Sequence, residues 1–263
     1  MQKYIDIHSH LNLRFFKENQ KEVIQRMIEK NVSTITIGVD YESSKEAIQI
    51  AEEHDFIWAG IGLHPADNDK EVFDFSKYIE LAKNPKVVCI GECGLDYFRD
   101  ESVETKTKQK EIFKKHIEIA IASKKPLMMH IRPSKGNMDA YEDALSILKE
   151  YKNEKDLKGN FHFYVGDIPI TKRILQLGFT VSFDGPITFS HDYDEVIKFL
   201  PIQSIMAETD SPFAAPVPYR GKVCEPFMVM EIVKKIAEIK GLPEPEVAKT
   251  ILENSERVFD IKV

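Results

Sequence analysis

The sequence predicts an α/β protein, folded as one (β/α)₈ barrel of the TIM type that covers residues 1–263. Eight short β-branched or apolar runs alternate with amphipathic stretches along the chain. The length of 263 residues is sufficient for one large α/β domain with a well-buried core. No glycine-rich phosphate-binding motif follows the first run, which argues against a doubly wound open sheet.

The eight apolar runs are the predicted strands, and their β-branched character is typical of strands. They cover residues 3–8, 33–39, 57–63, 86–91, 126–131, 160–165, 179–183 and 204–209. Apolar residues recur at helical spacing between them, most clearly over residues 20–30, 43–54 and 105–122. Two more helices are predicted at residues 225–240 and 244–258, and Gly241 and Pro243 separate them.

Composition and charge exclude several classes of protein. The formal net charge is −7, whereas proteins that coat nucleic acids are usually basic, so any contact with nucleic acid should be local or carried by a metal. Cys89, Cys93 and Cys224 form neither a disulfide framework nor a CxxC zinc motif. No apolar run is as long as a membrane span and the first residues do not resemble a signal peptide, so we expect a cytoplasmic protein without a membrane partner.

Histidines and carboxylates recur where the predicted strands end, which is where a barrel enzyme places its chemistry. The first strand ends in His8-Ser9-His10, and the i, i+2 spacing directs both imidazoles to the same side. Such groups are costly near an apolar core unless they are paired or bind a cation, so we interpret six of them as divalent metal ligands. The six are His8, His10, Glu92, His130, His162 and Asp210. Imidazole and carboxylate together suit zinc, manganese, iron or nickel, and six ligands exceed the need of one tetrahedral metal, so Glu92 is a candidate bridge between two ions.

Other polar residues near these strand ends keep two interpretations each. Arg99, Arg132 and Arg220 either hold phosphate oxygens of a substrate or form surface ion pairs. His64 either lines the substrate pocket or caps the turn before Pro65. One further residue, Glu208, either orients a ligand histidine or pairs with a nearby cation.

The order and spacing of these motifs resemble the TatD family of metal-dependent deoxyribonucleases, within the amidohydrolase-like barrel superfamily. The motifs are DIHSHL, GLHP, GECGLDY, HIR, HFYVG, AETDSPF, RGKVCEP and NSERVF, and they extend over essentially the whole chain. The resemblance implies a TIM-like barrel with one to three divalent metals that hydrolyses DNA phosphodiesters. It also implies one metal on His8, His10 and Asp210, a second on His130 and His162, and Glu92 between them. Cys224 occupies a position where the family usually has asparagine.

The residues alone predict metal-assisted hydrolysis, with Glu92 and Asp210 as catalytic residues and Asp210 as the general base. The resemblance narrows this to a 3′–5′ exonuclease with one or two ions of zinc, manganese or magnesium. Its expected partner is DNA, single-stranded or at 3′ ends, and we expect a monomer. The alternative is an amidohydrolase-type enzyme that cleaves C–N or ester bonds with the same ligands. A barrel without activity should lack a ligand, and none of the six is missing.

Overall fold

The computed structural model describes residues 3–67 and 71–263, and these form an eight-stranded sheet in which each strand pairs with the next one in sequence. The seven pairings between consecutive strands are parallel. The strands are β1 Tyr4–Ser9, β2 Val32–Ile37, β3 Ile57–Ile61, β4 Val87–Asp96, β5 Leu127–Arg132, β6 Gly159–His162, β7 Thr180–Phe183 and β8 Ile205–Ala207. The predicted (β/α)₈ barrel is confirmed.

The barrel closes between β1 and the segment that follows β8. The amide of His10 donates to the carbonyl of Ser211 at 2.8 Å, and the amide of Asp210 donates to the carbonyl of His8 at 2.9 Å. These backbone bonds supply the partners that an open sheet edge would lack. Closure therefore sets the first and last strands side by side and brings their polar ends together.

Helices cover the outside of the sheet and run back between successive strands. They are α1 Gln20–Lys30, α2 Tyr41–Glu52, α3 Phe75–Leu81, α4 Val103–Ser123, α5 Asp139–Glu150, α6 Ile168–Gln176, α7 Asp194–Phe199, α8 Val229–Lys240 and α9 Glu244–Phe259. Side-chain caps mark several starts: Asp40 accepts from the Ser43 amide, and Ser102 and Asp167 cap α4 and α6 in the same way. Among the described residues, no helix combines the length and apolarity needed to cross a bilayer.

The core has two parts. The larger lies between the sheet and its helices, and it includes Val23, Phe113 and Ile232 from helices α1, α4 and α8. The smaller gathers side chains from six strands, which come together in the barrel interior. These are Ile5, Ile7, Ile35, Ile37, Trp58, Val88, Cys89, Met128 and Met206. This apolar filling supports the polar rim at the carboxyl ends of the strands.

The predicted end of the fourth strand was wrong. The strand does not stop at residue 91 but continues through Glu92 to Asp96. Gly91 and Gly94 have φ angles of +152° and +134°, and a Cβ at either would lie 2.2 Å from a carbonyl oxygen of β5. Glycine alone permits this path, because other residues rarely adopt positive φ and would clash with the neighbouring strand. Glu92 therefore lies inside the strand, close to β5.

Candidate metal centre

The carboxylate of Glu92 lies at the middle of a ring of histidines. Its Oε1 lies 2.9 Å from Nδ1 of His130 and 2.9 Å from Nε2 of His162. Its Oε2 lies 3.5 Å from Nε2 of His8 and 3.7 Å from Nε2 of His10. One oxygen thus faces each pair of imidazoles, which is the arrangement expected of a carboxylate shared between two metal positions.

Asp210 completes the first of these positions. Its Oδ1 lies 3.3 Å from Nε2 of His10 and 3.7 Å from Nε2 of His8. The donor atoms of His8, His10 and Glu92 all lie within 4.8 Å of one another. At the second position, the donor atoms of Glu92, His130 and His162 also lie within 4.8 Å of one another. The six predicted ligands are therefore brought together, and their role as ligands stays a prediction.

Two of these histidines, His10 and His162, have a hydrogen-bond acceptor at the imidazole nitrogen that points away from the centre, and His130 has a carboxylate near its own. His10 Nδ1 lies 2.8 Å from the Ile37 carbonyl oxygen, which can only accept, so this nitrogen carries the proton. His162 Nδ1 lies 3.2 Å from the carboxylate of Glu208. His130 is turned the other way, with Nε2 at 3.3 Å from Oδ2 of Asp96. In each imidazole the second nitrogen faces the centre, where it would offer its lone pair to a bound metal.

The electrostatics of Glu92 fit a cation at this position. Glu92 is 3% exposed, and no lysine or arginine of the described residues lies within 4.0 Å of it. Burial alone would raise its pKa, but the charges of His64 and His162 and hydrogen bonds from His130 and His162 hold the pKa well below its usual value. A divalent ion would favour the same ionised state. The donor set and its charge therefore fit one or two divalent metals.

Glu208 acts on the centre through His162. It is fully buried and accepts hydrogen bonds from the Phe163 amide and the Ser182 hydroxyl, both at 2.6 Å. Ser182 in turn accepts from the Asn160 side chain at 2.6 Å. Of the two interpretations left open, the structure therefore favours the one in which Glu208 orients a ligand histidine.

Asp6 is a residue to which the sequence pattern assigned no role. It is fully buried and accepts from the Thr209 amide at 2.9 Å, the Thr209 hydroxyl at 2.6 Å and the His8 amide at 3.2 Å. It thereby ties the backbone of the His8–His10 segment to the residue before Asp210. The signal was an acidic residue inside an otherwise apolar strand, which is costly unless its hydrogen bonds are satisfied.

A cavity of about 480 Å³ opens onto the donor set. His64 lines it, with Nε2 at 3.4 Å from Oε1 of Glu92, while its Nδ1 accepts from the Ala66 amide at 3.1 Å. His64 therefore both faces the pocket and caps the turn Pro65–Asp67. Arg99 and Arg132 also line the cavity.

Arg220 does not line this cavity. Its guanidinium lies 3.7 Å from the ring centroid of Phe189, in a cation–π contact. Substrate binding by Arg220 therefore stays a prediction. The cysteines are buried free thiols, and burial raises the pKa of Cys89 to about 12, so none is a reactive nucleophile in this fold.

The sequence matches one known family of proteins over nearly its whole length. The sequence profile of a family described as TatD related DNase matches residues 5–260. The chain belongs to the TatD family. An uncharacterized metal-dependent hydrolase of Bacillus subtilis, YabD, is 37% identical over 260 residues, which cover 97% of this chain and 98% of that protein. The uncharacterized metal-dependent hydrolase YcfH of Escherichia coli K12 is 32% identical, over 98% of this chain and 96% of that protein.

Solved structures share the fold of this chain. The TatD homologue YJJV of Escherichia coli superposes with a TM-score of 0.90 at 23% identity, over 99% of each chain. A phosphotriesterase homology protein of Escherichia coli, solved with phosphate in its active site, superposes at 0.66 with 14% identity, over 97% of this chain and 98% of that one. Family membership and the donor set together make this chain a TatD-family metal-dependent hydrolase.

Proposed function

We propose that this TatD-family hydrolase is a deoxyribonuclease that removes nucleotides from the 3′ end of DNA. The observation that carries the proposal is the guanidinium of Arg132 on the cavity that contains the donor set, where Arg99 also lies but forms an ion pair with Asp96 at 3.5 Å. Among the described ion pairs none includes Arg132, whose guanidinium lies 3.9 Å from the ring centroid of Phe98. An arginine without a carboxylate partner beside a metal centre is suited to phosphate oxygens.

Six side chains would hold the metal ions. His8, His10 and Asp210 would hold one ion, His130 and His162 a second, and Glu92 would be shared. When bound, such ions polarise the phosphoryl group and make water a stronger nucleophile at neutral pH. The residues that bind them provide the positioning, and four of the six, His8, His10, Glu92 and His162, are buried.

Asp210 is the proposed general base. Burial would raise its pKa, but the hydrogen bond with His10 and the charges of His8 and His10 lower it, so the carboxylate is ionised at neutral pH. Its Oδ1 faces the donor set and the side chain lines the cavity, where it can accept a proton from an attacking water. Arg132 would stabilise the negative charge that develops on the phosphoryl oxygens.

The decisive experiment is an activity assay on metal-stripped protein. Zinc, manganese or magnesium is added back, and single-stranded DNA labelled at the 5′ or the 3′ end is tested beside duplex DNA, simple esters and amides. Removal from the 3′ end shortens a 5′-labelled strand stepwise and releases the 3′ label at once. Hydrolysis of DNA should also weaken as salt rises, because a polyanion releases counterions on binding.

Asp210→Asn is the matched test of mechanism, with Asp55→Asn as its control. Asp55 is an exposed residue just before β3, at the opposite end of the barrel from the donor set. We expect Asp210→Asn to lower kcat about 10²- to 10⁴-fold with an unchanged circular dichroism spectrum. The control should retain full activity. Ester or amide hydrolysis without DNA cleavage, or DNA cleavage that persists without metal, contradicts the proposal.

A further inference from the structure

Two exposed phenylalanines lie beside the cavity and take no part in the chemistry described above. Phe213 lines the cavity three residues after Asp210 and is 47% exposed. Phe15, which follows β1, is 53% exposed. Their ring centroids lie 5.9 Å apart with an interplanar angle of 76°, so the rings meet edge to face. An exposed aromatic pair at the mouth of an active-site cavity indicates a binding surface.

The pair is adjacent to both the donor set and a positive charge. The ring centroid of Phe213 lies 6.4 Å from that of His10, one of the predicted ligands. On the outer side, the guanidinium of Arg14 lies 6.0 Å from the centroid of Phe15. A nucleotide whose phosphate is held at the donor set would therefore place a neighbouring base within reach of Phe213. Aromatic rings beside cations are what proteins use to bind single-stranded nucleic acid.

Two other exposed aromatic rings have a cation over their faces. The guanidinium of Arg132 lies over Phe98 at 3.9 Å, and that of Arg220 lies over Phe189 at 3.7 Å. Those faces are occupied in the folded protein. Among the described residues, no lysine or arginine lies over the ring of Phe213. Phe213 is thus an exposed cavity-lining ring with no cation over its face.

We propose that Phe213, in T-shaped contact with Phe15, is a stacking platform for one unpaired base next to the scissile phosphate. This inference rests on the proposed deoxyribonuclease function and gives its substrate preference. A base in a duplex is already stacked on its neighbours, so its face is not available to the ring. The platform therefore favours single-stranded DNA or frayed 3′ ends over intact duplex.

The test compares Phe213→Ala with Phe199→Ala in the full-length, metal-loaded enzyme. Phe199 is 41% exposed and lies near the ammonium group of Lys172, but it ends α7, at the opposite end of the barrel. KM and kcat are measured on a single-stranded oligonucleotide, on a duplex, and on an oligonucleotide whose last two 3′ nucleotides are abasic. Binding of the same strand to metal-free protein, followed by fluorescence anisotropy, gives a readout that does not depend on turnover.

We expect Phe213→Ala to raise KM for the normal single strand roughly ten- to hundredfold, with a smaller change on the abasic strand. Its preference for single strand over duplex should fall, Phe213→Trp should restore binding, and Phe199→Ala should match the wild type. Equal losses on normal and abasic strands, or equal KM values for Phe213→Ala and Phe199→Ala, overturn the platform and leave the nuclease proposal intact. Wild-type protein that neither binds nor cleaves any oligonucleotide overturns the proposed function itself.

Discussion

His116 should make the stability of this protein depend on pH between about 7 and 5. It is fully buried in α4, where Nδ1 donates to the Ile112 carbonyl at 2.9 Å and Nε2 accepts from the Leu63 amide at 3.0 Å. Leu63 precedes His64, so this bond anchors the turn that carries His64 into the cavity. Protonation of Nε2 would remove the acceptor and place a charge against the ring of Phe73, 4.5 Å away between centroids.

The magnitude follows from the pKa. Burial lowers the pKa of His116 from 6.5 to about 4, opposed in part by its hydrogen bond to Ile112. The folded pKa is depressed, so the unfolded chain binds the proton more readily. The stabilising contribution is complete above pH 6.5 and is lost as the pH falls toward 4. Between pH 7 and pH 5 the loss is about 2 kcal/mol of the free energy of unfolding.

The assay is urea unfolding followed by circular dichroism at pH 7 and pH 5, on the wild type and on His116→Gln. Glutamine keeps an acceptor for the Leu63 amide but does not titrate. The wild type should lose about 2 kcal/mol more than this variant on acidification, because all other groups are common to both. His191→Gln is the control, since the side chain of His191 is 83% exposed. Equal pH dependence of the wild type and His116→Gln would refute the reasoning.

Two further substitutions test the supports of the centre. Glu208→Gln removes the charge that holds Nδ1 of His162, and we expect metal affinity, measured by competition with a chelator, to fall about 10- to 100-fold. Affinity equal to that of the wild type would contradict a positioning role. Gly94→Ala places a Cβ 2.2 Å from the His130 carbonyl at a φ of +134°, and it should lower the free energy of unfolding by at least about 2 kcal/mol in urea titrations. Gly178→Ala, also at positive φ but with no atom within 4 Å of the added Cβ, should cost less, and equal losses would argue against the clash.

The convergence of the donor set could be predicted because a barrel has one simple geometric rule. Every strand of a parallel barrel points its carboxyl end to the same rim, so polar residues at those ends meet without knowledge of any contact. His8, His130 and Asp210 were placed together on this basis, and the structure brings them to one centre. The same rule does not reveal Asp6, because its partners lie across the closure between β1 and the segment after β8.

Strand boundaries and local paths were less predictable. The continuation of β4 through Glu92 depends on the glycines at 91 and 94, whose unusual φ angles leave no periodic signal. The two roles of His64 also depend on a turn that brings one nitrogen to Glu92 and the other to the Ala66 amide. Such turns are set by a few backbone angles rather than by repeating apolar positions.

By itself, the sequence determined the class of fold, the rim that carries the chemistry and the kind of metal ligand found there. The spacing of apolar residues and the chemistry of each side chain are properties of short stretches of sequence. Only the tertiary structure decided which imidazole nitrogen faces the centre, that Glu92 presents one oxygen to each pair of histidines, and that Phe15 meets Phe213. These pairings join residues far apart in the chain. They depend on how the barrel closes and how its loops turn, which no local pattern specifies.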